Sequence, residues 1–106
     1  MIVVVGRVRT DAHKRAELIR VGQTVAAASR AESGCLGYRL YEDTEAENDF
    51  VFVEEWESDE ALKRHFGTSH ISDFMQAITK TLIAPPDVKF HTVASSVDLA
   101  DVGGGG

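Results

Sequence analysis

The hydrophobic pattern opens with a strand. Ile2, Val3, Val4 and Val5 form an unbroken β-branched run, after which Val8 stands between Arg7 and Arg9. Period-two geometry puts Ile2, Val4, Gly6 and Val8 on one face and Val3, Val5, Arg7 and Arg9 on the other, so the two faces meet different surroundings. Beyond Thr10 and Asp11, either of which can cap a helix, the period changes. Leu18, Val21, Gly22, Val25 and Ala28 recur at helical spacing until Ser33-Gly34 stops the run. Cys35 to Glu42 and Phe50 to Glu57 read as two strands of a hairpin, joined by the acidic, Asn-containing turn from Asp43 to Asp49. Ser58 is a good N-cap, with Asp59 and Glu60 in a first turn where negative charge suits the helix dipole; Leu62 and Phe66 lie one turn apart before Gly67 ends this short helix. Ser69 is the expected cap of a further helix with Ile71, Phe74, Met75, Ile78 and Leu82 on one face, and Pro85-Pro86 forbids its continuation. Val88 to Val93 completes the series as a fourth strand.

The order βαββ(αα)β predicts an α+β fold, a ferredoxin-like sandwich with helices on one face of an antiparallel sheet. Val3, Val5, Phe52 and Trp56 are too apolar to leave the other face in water, so a second copy packing face to face is expected: a homodimer, in a dimeric α/β-barrel assembly. The pattern spans residues 1–93 as one domain. From Ala94 onward Ser95-Ser96, Asp98, Asp101 and the run Gly103 to Gly106 read as a flexible tail over 94–106, whose Val97, Leu99 and Val102 can dock on a partner subunit.

Composition narrows the function classes. A chain of 106 residues supports one core, and is small enough that oligomerisation is a natural supplement. Its 43% hydrophobic and 26% charged content is that of a soluble globular protein. The formal charge of −6, with the 11 basic residues scattered, opposes a phosphate backbone, so no nucleic-acid partner is expected. Ile2 to Val5, broken by Gly6 and Arg7, is far short of a signal-peptide core or a membrane span, and no membrane partner is expected either. Cys35 is the single cysteine; it excludes an internal disulfide, and a reducing cytoplasm fits. There is no Gly-rich phosphate loop and no ligand cluster of recognised spacing, so neither cofactor nor metal is expected.

Gly34-Cys35-Leu36-Gly37-Tyr38, Glu54-Glu55-Trp56-Glu57-Ser58 and the stretch from Ala61 to His70 resemble the antibiotic-biosynthesis monooxygenase family, in particular its quinol-monooxygenase-like branch. The resemblance covers roughly residues 1–93 and implies a dimer of two α+β barrels, each subunit holding a pocket between sheet and helices. It implies, further, oxidation of phenols or quinols by molecular oxygen with neither metal nor flavin. That chemistry has a physical rationale: a deprotonated phenol is electron-rich enough to pass an electron to oxygen, so the substrate supplies the reducing power usually drawn from a cofactor. The protein then needs a base, a dry cavity and a group that stabilises the anion.

The resemblance assigns these roles to particular residues. Trp56 matches the family's strand-end Trp, and period two puts Phe52 and Glu54 on its strand face. In members with assigned oxygenase chemistry an Asn can stand four positions before this Trp; here Phe52 does. His65 and His70 match the two helix-region His, either one a base suited to neutral pH. On a continuous helix, five residues would rotate the second His roughly 140° from the first, which argues against a shared metal. From its place on the first strand, Arg7 is the expected anion stabiliser, or else the partner of Glu54 or of another acidic side chain in an ion pair at the barrel mouth. Phe52 and Trp56 would stack on the substrate ring, with Glu54 and Phe74 as further binding residues. Against a haem-degrading branch of the fold, the corresponding positions carry Met75, Arg7 and His65, and none matches. The reading is a cofactor-independent monooxygenase acting on a small aromatic quinol or phenol. The alternatives are a non-catalytic ligand-binding or stress-response module on the same fold and a proton-transfer isomerase.

Overall fold

The computed structural model describes residues 1–103 of the chain. Strand β1 (Ile2–Arg9) leads through a 3-10 turn (Ala12–Lys14) into helix α1 (Arg15–Arg30). The hairpin β2 (Cys35–Glu42) and β3 (Asp49–Trp56) follows, then helices α2 (Asp59–Phe66) and α3 (Ser69–Thr79), and β4 (Asp87–Thr92). The strands form one antiparallel sheet in the order β2-β3-β1-β4, the ferredoxin-like arrangement.

Caps explain the helix starts. Asp11 accepts from the His13 N–H and opens the 3-10 turn, Ser58 accepts from the Ala61 N–H and starts α2, and Thr68, rather than Ser69, accepts from the Ile71 N–H and starts α3. Helix α3 ends at Thr79, short of the expected Leu82, because the backbone is recruited elsewhere. Ile83 donates its N–H to the Arg9 carbonyl at 3.1 Å, and Leu82 bridges Thr10, prolonging the end of β1. A Thr10 hydroxyl bond to the Thr81 carbonyl at 2.9 Å, fully buried, ties the two segments.

The core lies between the sheet and the helices. Ile2, Val4 and Val8 of β1 are buried there with Leu18, Val21 and Val25 of α1 and Ile71 and Ile78 of α3. The register pairs Ile2 with Trp56, Val4 with Glu54 and Gly6 with Phe52, so all three β3 residues share the helix-covered face. Phe52 and Trp56, expected on the outer face, are therefore core residues, 4% and 0% exposed. The outer face carries instead Val3 and Val5 beside Val51 and Val53, with Arg7, Arg39, Tyr41, Lys89 and His91 around them. Among the described residues no helix is long and apolar enough to cross a membrane.

Candidate functional site

The helices leave part of the sheet uncovered. A cavity of about 340 Å³ opens there, floored by Val4, Gly6 and Val8, walled by Phe52, Phe74 and Ile78, and rimmed by Phe66, Met75, Val88 and Phe90. Phe52 and Phe74 meet edge to face, their centroids 5.3 Å apart. Against this apolar lining stand Tyr38, Glu54 and His65. An aromatic ring would lose water against such walls while any ionisable group on it met those three side chains.

His65, in the last turn of α2, is only 1% exposed. Its ring lies 4.5 Å from that of Trp56 and 5.7 Å from that of Tyr38, centroid to centroid. Nδ1 sits 2.7 Å from Glu32 Oε2, and Nε2 is 3.9 Å from Glu54 Oε1. An ionised carboxylate can only accept, so Nδ1 donates to Glu32, and in the tautomer this selects the lone pair is on Nε2, the nitrogen near Glu54. Glu54 accepts from the Trp56 indole N–H at 3.0 Å. Burial pushes its carboxyl up to about 7 against the pull of the Trp56 and Tyr38 hydrogen bonds, and the nearby charge of Glu32 adds to the rise. Burial, followed by the charge of Glu54, also raises the Tyr38 phenol well above its ordinary value.

Glu32 owes its position to the turn after α1. Gly34 adopts φ +84°, and a Cβ there would lie 2.6 Å from Ala61 Cβ, so the turn packs directly on α2 and only glycine fits. The Glu57 N–H closes the contact on the Gly34 carbonyl at 2.9 Å. From this turn Glu32 reaches both imidazoles, because His70 Nε2 also lies 2.7 Å from Oε2. His70 occupies the first turn of α3 with its side chain 25% exposed, and it borders a groove between α1 and α3 beside Thr24 and Asp73.

Of the residues expected at the site, Phe52, Glu54, His65 and Phe74 line the cavity. Trp56 stands behind it, holding Glu54 and stacking on His65 instead of meeting a substrate ring. His70 contacts Glu32 from the far side and does not line the cavity, so of the two His only His65 faces it. Arg7, expected at the cavity, is instead exposed on the outer face of the sheet, opposite Val51 and Asp87, and neither reaches the cavity nor pairs with Glu54. The expectation that the two His diverge also fails, because Gly67 and Thr68 break the helix between them. Glu32, His65 and His70 consequently present three ligand atoms within 4.8 Å of one another, where no metal-ligating set was expected. Glu32 and Tyr38 are the members that sequence reasoning missed. Tyr38 falls inside the Gly34-to-Tyr38 motif and carried a signal, whereas Glu32 sits in a helix-stop segment and carried none.

Residues 1–77 match the family model described as antibiotic biosynthesis monooxygenase. YcnE of Bacillus subtilis, named as a candidate monooxygenase, is 36% identical over 88 residues, which are 83% of this chain and 93% of that protein. The uncharacterized Synechocystis protein sll1783 is 35% identical over 98 residues, 92% of this chain and 67% of that one. Among solved structures, Rv0793 from Mycobacterium tuberculosis has a TM-score of 0.85 at 25% identity, over 92% of this chain and 98% of its own.

Proposed function

The chain belongs to the antibiotic biosynthesis monooxygenase family, and from that premise we propose that it oxidises a small aromatic quinol or phenol with molecular oxygen, without a cofactor, in the cavity beside His65. One observation carries the reading: a buried imidazole, held through Nδ1 by Glu32, keeps Nε2 free beside Glu54 at an apolar, aromatic-walled cavity. A carboxylate that orients a base and stabilises its cationic form is the arrangement that makes a histidine an effective proton acceptor.

The reaction begins when His65 Nε2 takes the hydroxyl proton, leaving a phenolate against Phe52 and Phe74. Glu32 stabilises the imidazolium through the Nδ1 hydrogen bond. The phenolate passes one electron to oxygen, and the resulting radical pair combines at a ring carbon. Loss of water from the hydroperoxide then leaves one oxygen atom on the ring. The other departs as water with two hydrogens from the substrate, so a quinol is converted to a hydroxyquinone and is itself the reductant. The apolar walls exclude bulk water during these steps. A second copy of the chain covers Val3, Val5, Val51 and Val53 on the outer sheet face and completes the working unit as a homodimer.

Oxygen uptake with a panel of hydroquinones and anthrones tests the activity. His65→Gln retains a polar side chain but cannot accept the proton, so turnover should fall on the order of 10²-fold or more and recover as pH approaches the substrate's own phenol pKa. A folded His65→Gln variant with wild-type turnover at neutral pH would remove His65 as the base. Binding of the panel without oxygen uptake would favour a non-catalytic ligand-binding module.

A further inference from the structure

We propose that Glu32, His65 and His70 form a binding site for a divalent first-row transition-metal ion of the zinc class, lying behind the cavity and reached from the groove between α1 and α3. Two imidazole nitrogens and one carboxylate oxygen are the donor set that such ions favour, and three protein ligands leave one coordination position open. Nδ1 of His65, Nε2 of His70 and Oε2 of Glu32 already converge within 4.8 Å. They come from three separate elements, the turn after α1, the end of α2 and the start of α3, so they surround a point instead of lying along one face.

In the metal-free arrangement the two N–H groups share one carboxylate oxygen at 2.7 Å each. Ligand atoms around a zinc ion with bonds of about 2.0–2.1 Å stand roughly 3.3–3.5 Å apart. Withdrawal of the rings by somewhat under 1 Å therefore admits the ion, and His70, partly exposed at the first turn of its helix, has room to make it. The groove brings Asp73 beside His70 at its edge, a negative charge on the approach, with Arg20 opposing it.

The ligand geometry gives the ion a consequence for catalysis. The metal would take the Nδ1 lone pair of His65, displacing the proton that Glu32 holds there. The neutral ring then carries its one proton on Nε2, directed toward Glu54 at 3.9 Å, in the carboxylate–histidine–metal arrangement. With Nε2 protonated the ring cannot accept a proton from the cavity. An ion in this site is inhibitory to base chemistry at His65, and the site itself does not depend on which reaction that base serves.

Calorimetric titration of the chelator-treated full chain with zinc, together with the visible spectrum on cobalt addition, tests the site. One equivalent should bind with a micromolar Kd, and cobalt should give the intense bands of a four-coordinate centre. Glu32→Gln and His70→Gln should each weaken zinc binding by about 10-fold or more, while the double variant His13→Gln with His91→Gln, at the two other histidines, should bind as the wild type does. If Glu32→Gln does not fold, His70→Gln decides, since that ring is partly exposed. Absence of saturable binding up to roughly millimolar zinc would overturn the proposal. So would unchanged affinity in His70→Gln, or loss of binding in the His13 and His91 variant.

Discussion

At the scale of the residue, Glu54 is where burial and chemistry meet. Its carboxyl is raised from the ordinary 4.5 to about 7, chiefly by burial. The folded state thus holds this proton more tightly than the unfolded chain. The stability linked to it is fully present below 4.5 and is lost as pH rises through about 7; the interval corresponds to roughly 3 kcal/mol at most. Glu54→Gln, which stays neutral, should therefore gain stability relative to wild type at about pH 8.5 and show little difference at about pH 4. Urea denaturation at both pH values, with chelator present, checks this, and a difference that does not vary with pH would count against burial as the cause. Residue-scale legibility differs between Glu54 and its neighbour Glu32. Glu54 lies on a strand, where alternation ties its direction to that of Trp56. Glu32 follows the end of a helix and finds its partners 33 and 38 residues further on, a relation that no local pattern carries.

At the scale of the element, the break between α2 and α3 is the device that assembles the site. The Gly67 N–H bonds the Arg64 carbonyl at 3.0 Å and closes α2. Thr68 then works in both directions, its hydroxyl donating to the His65 carbonyl at 2.7 Å and accepting from the Ile71 N–H at 3.4 Å. Thr68→Ala removes both bonds and should cost about 1 kcal/mol, as loss of an N-cap does, whereas Thr68→Ser should keep most of it. Equilibrium denaturation of the two variants distinguishes a capping role from loss of the methyl group. Both helices were legible from their apolar spacing and from Gly67. Their relative angle was not, because it is set by α1 and the sheet that they pack against, and it is this angle that brings His70 to Glu32.

At the scale of the whole molecule, the outer sheet face is the one on which the proposed homodimer rests. Val3, Val5, Val51 and Val53 adjoin across β1 and β3, half-buried only by their own neighbours. If a second copy covers them, light scattering at micromolar concentration should give twice the chain mass, and Val53→Arg should shift the population to monomer by burying an unpaired charge in the interface. A stable wild-type monomer under those conditions would overturn the dimer. The elements themselves were determined by the sequence: alternation, helical spacing, caps and glycine stops act within a few residues, so element type, order and the ferredoxin-like class follow from local rules. Which face of each strand turns inward was another matter. Pairing of β1 with β3 places Phe52 opposite Gly6 and Trp56 opposite Ile2 under the helices, while Arg7 points away. Period two shows only that adjacent side chains oppose one another. The register between strands distant in the chain, and the packing of helices on one side of them, decided which set became core, which lined the cavity, and that Glu32 would hold two histidines together.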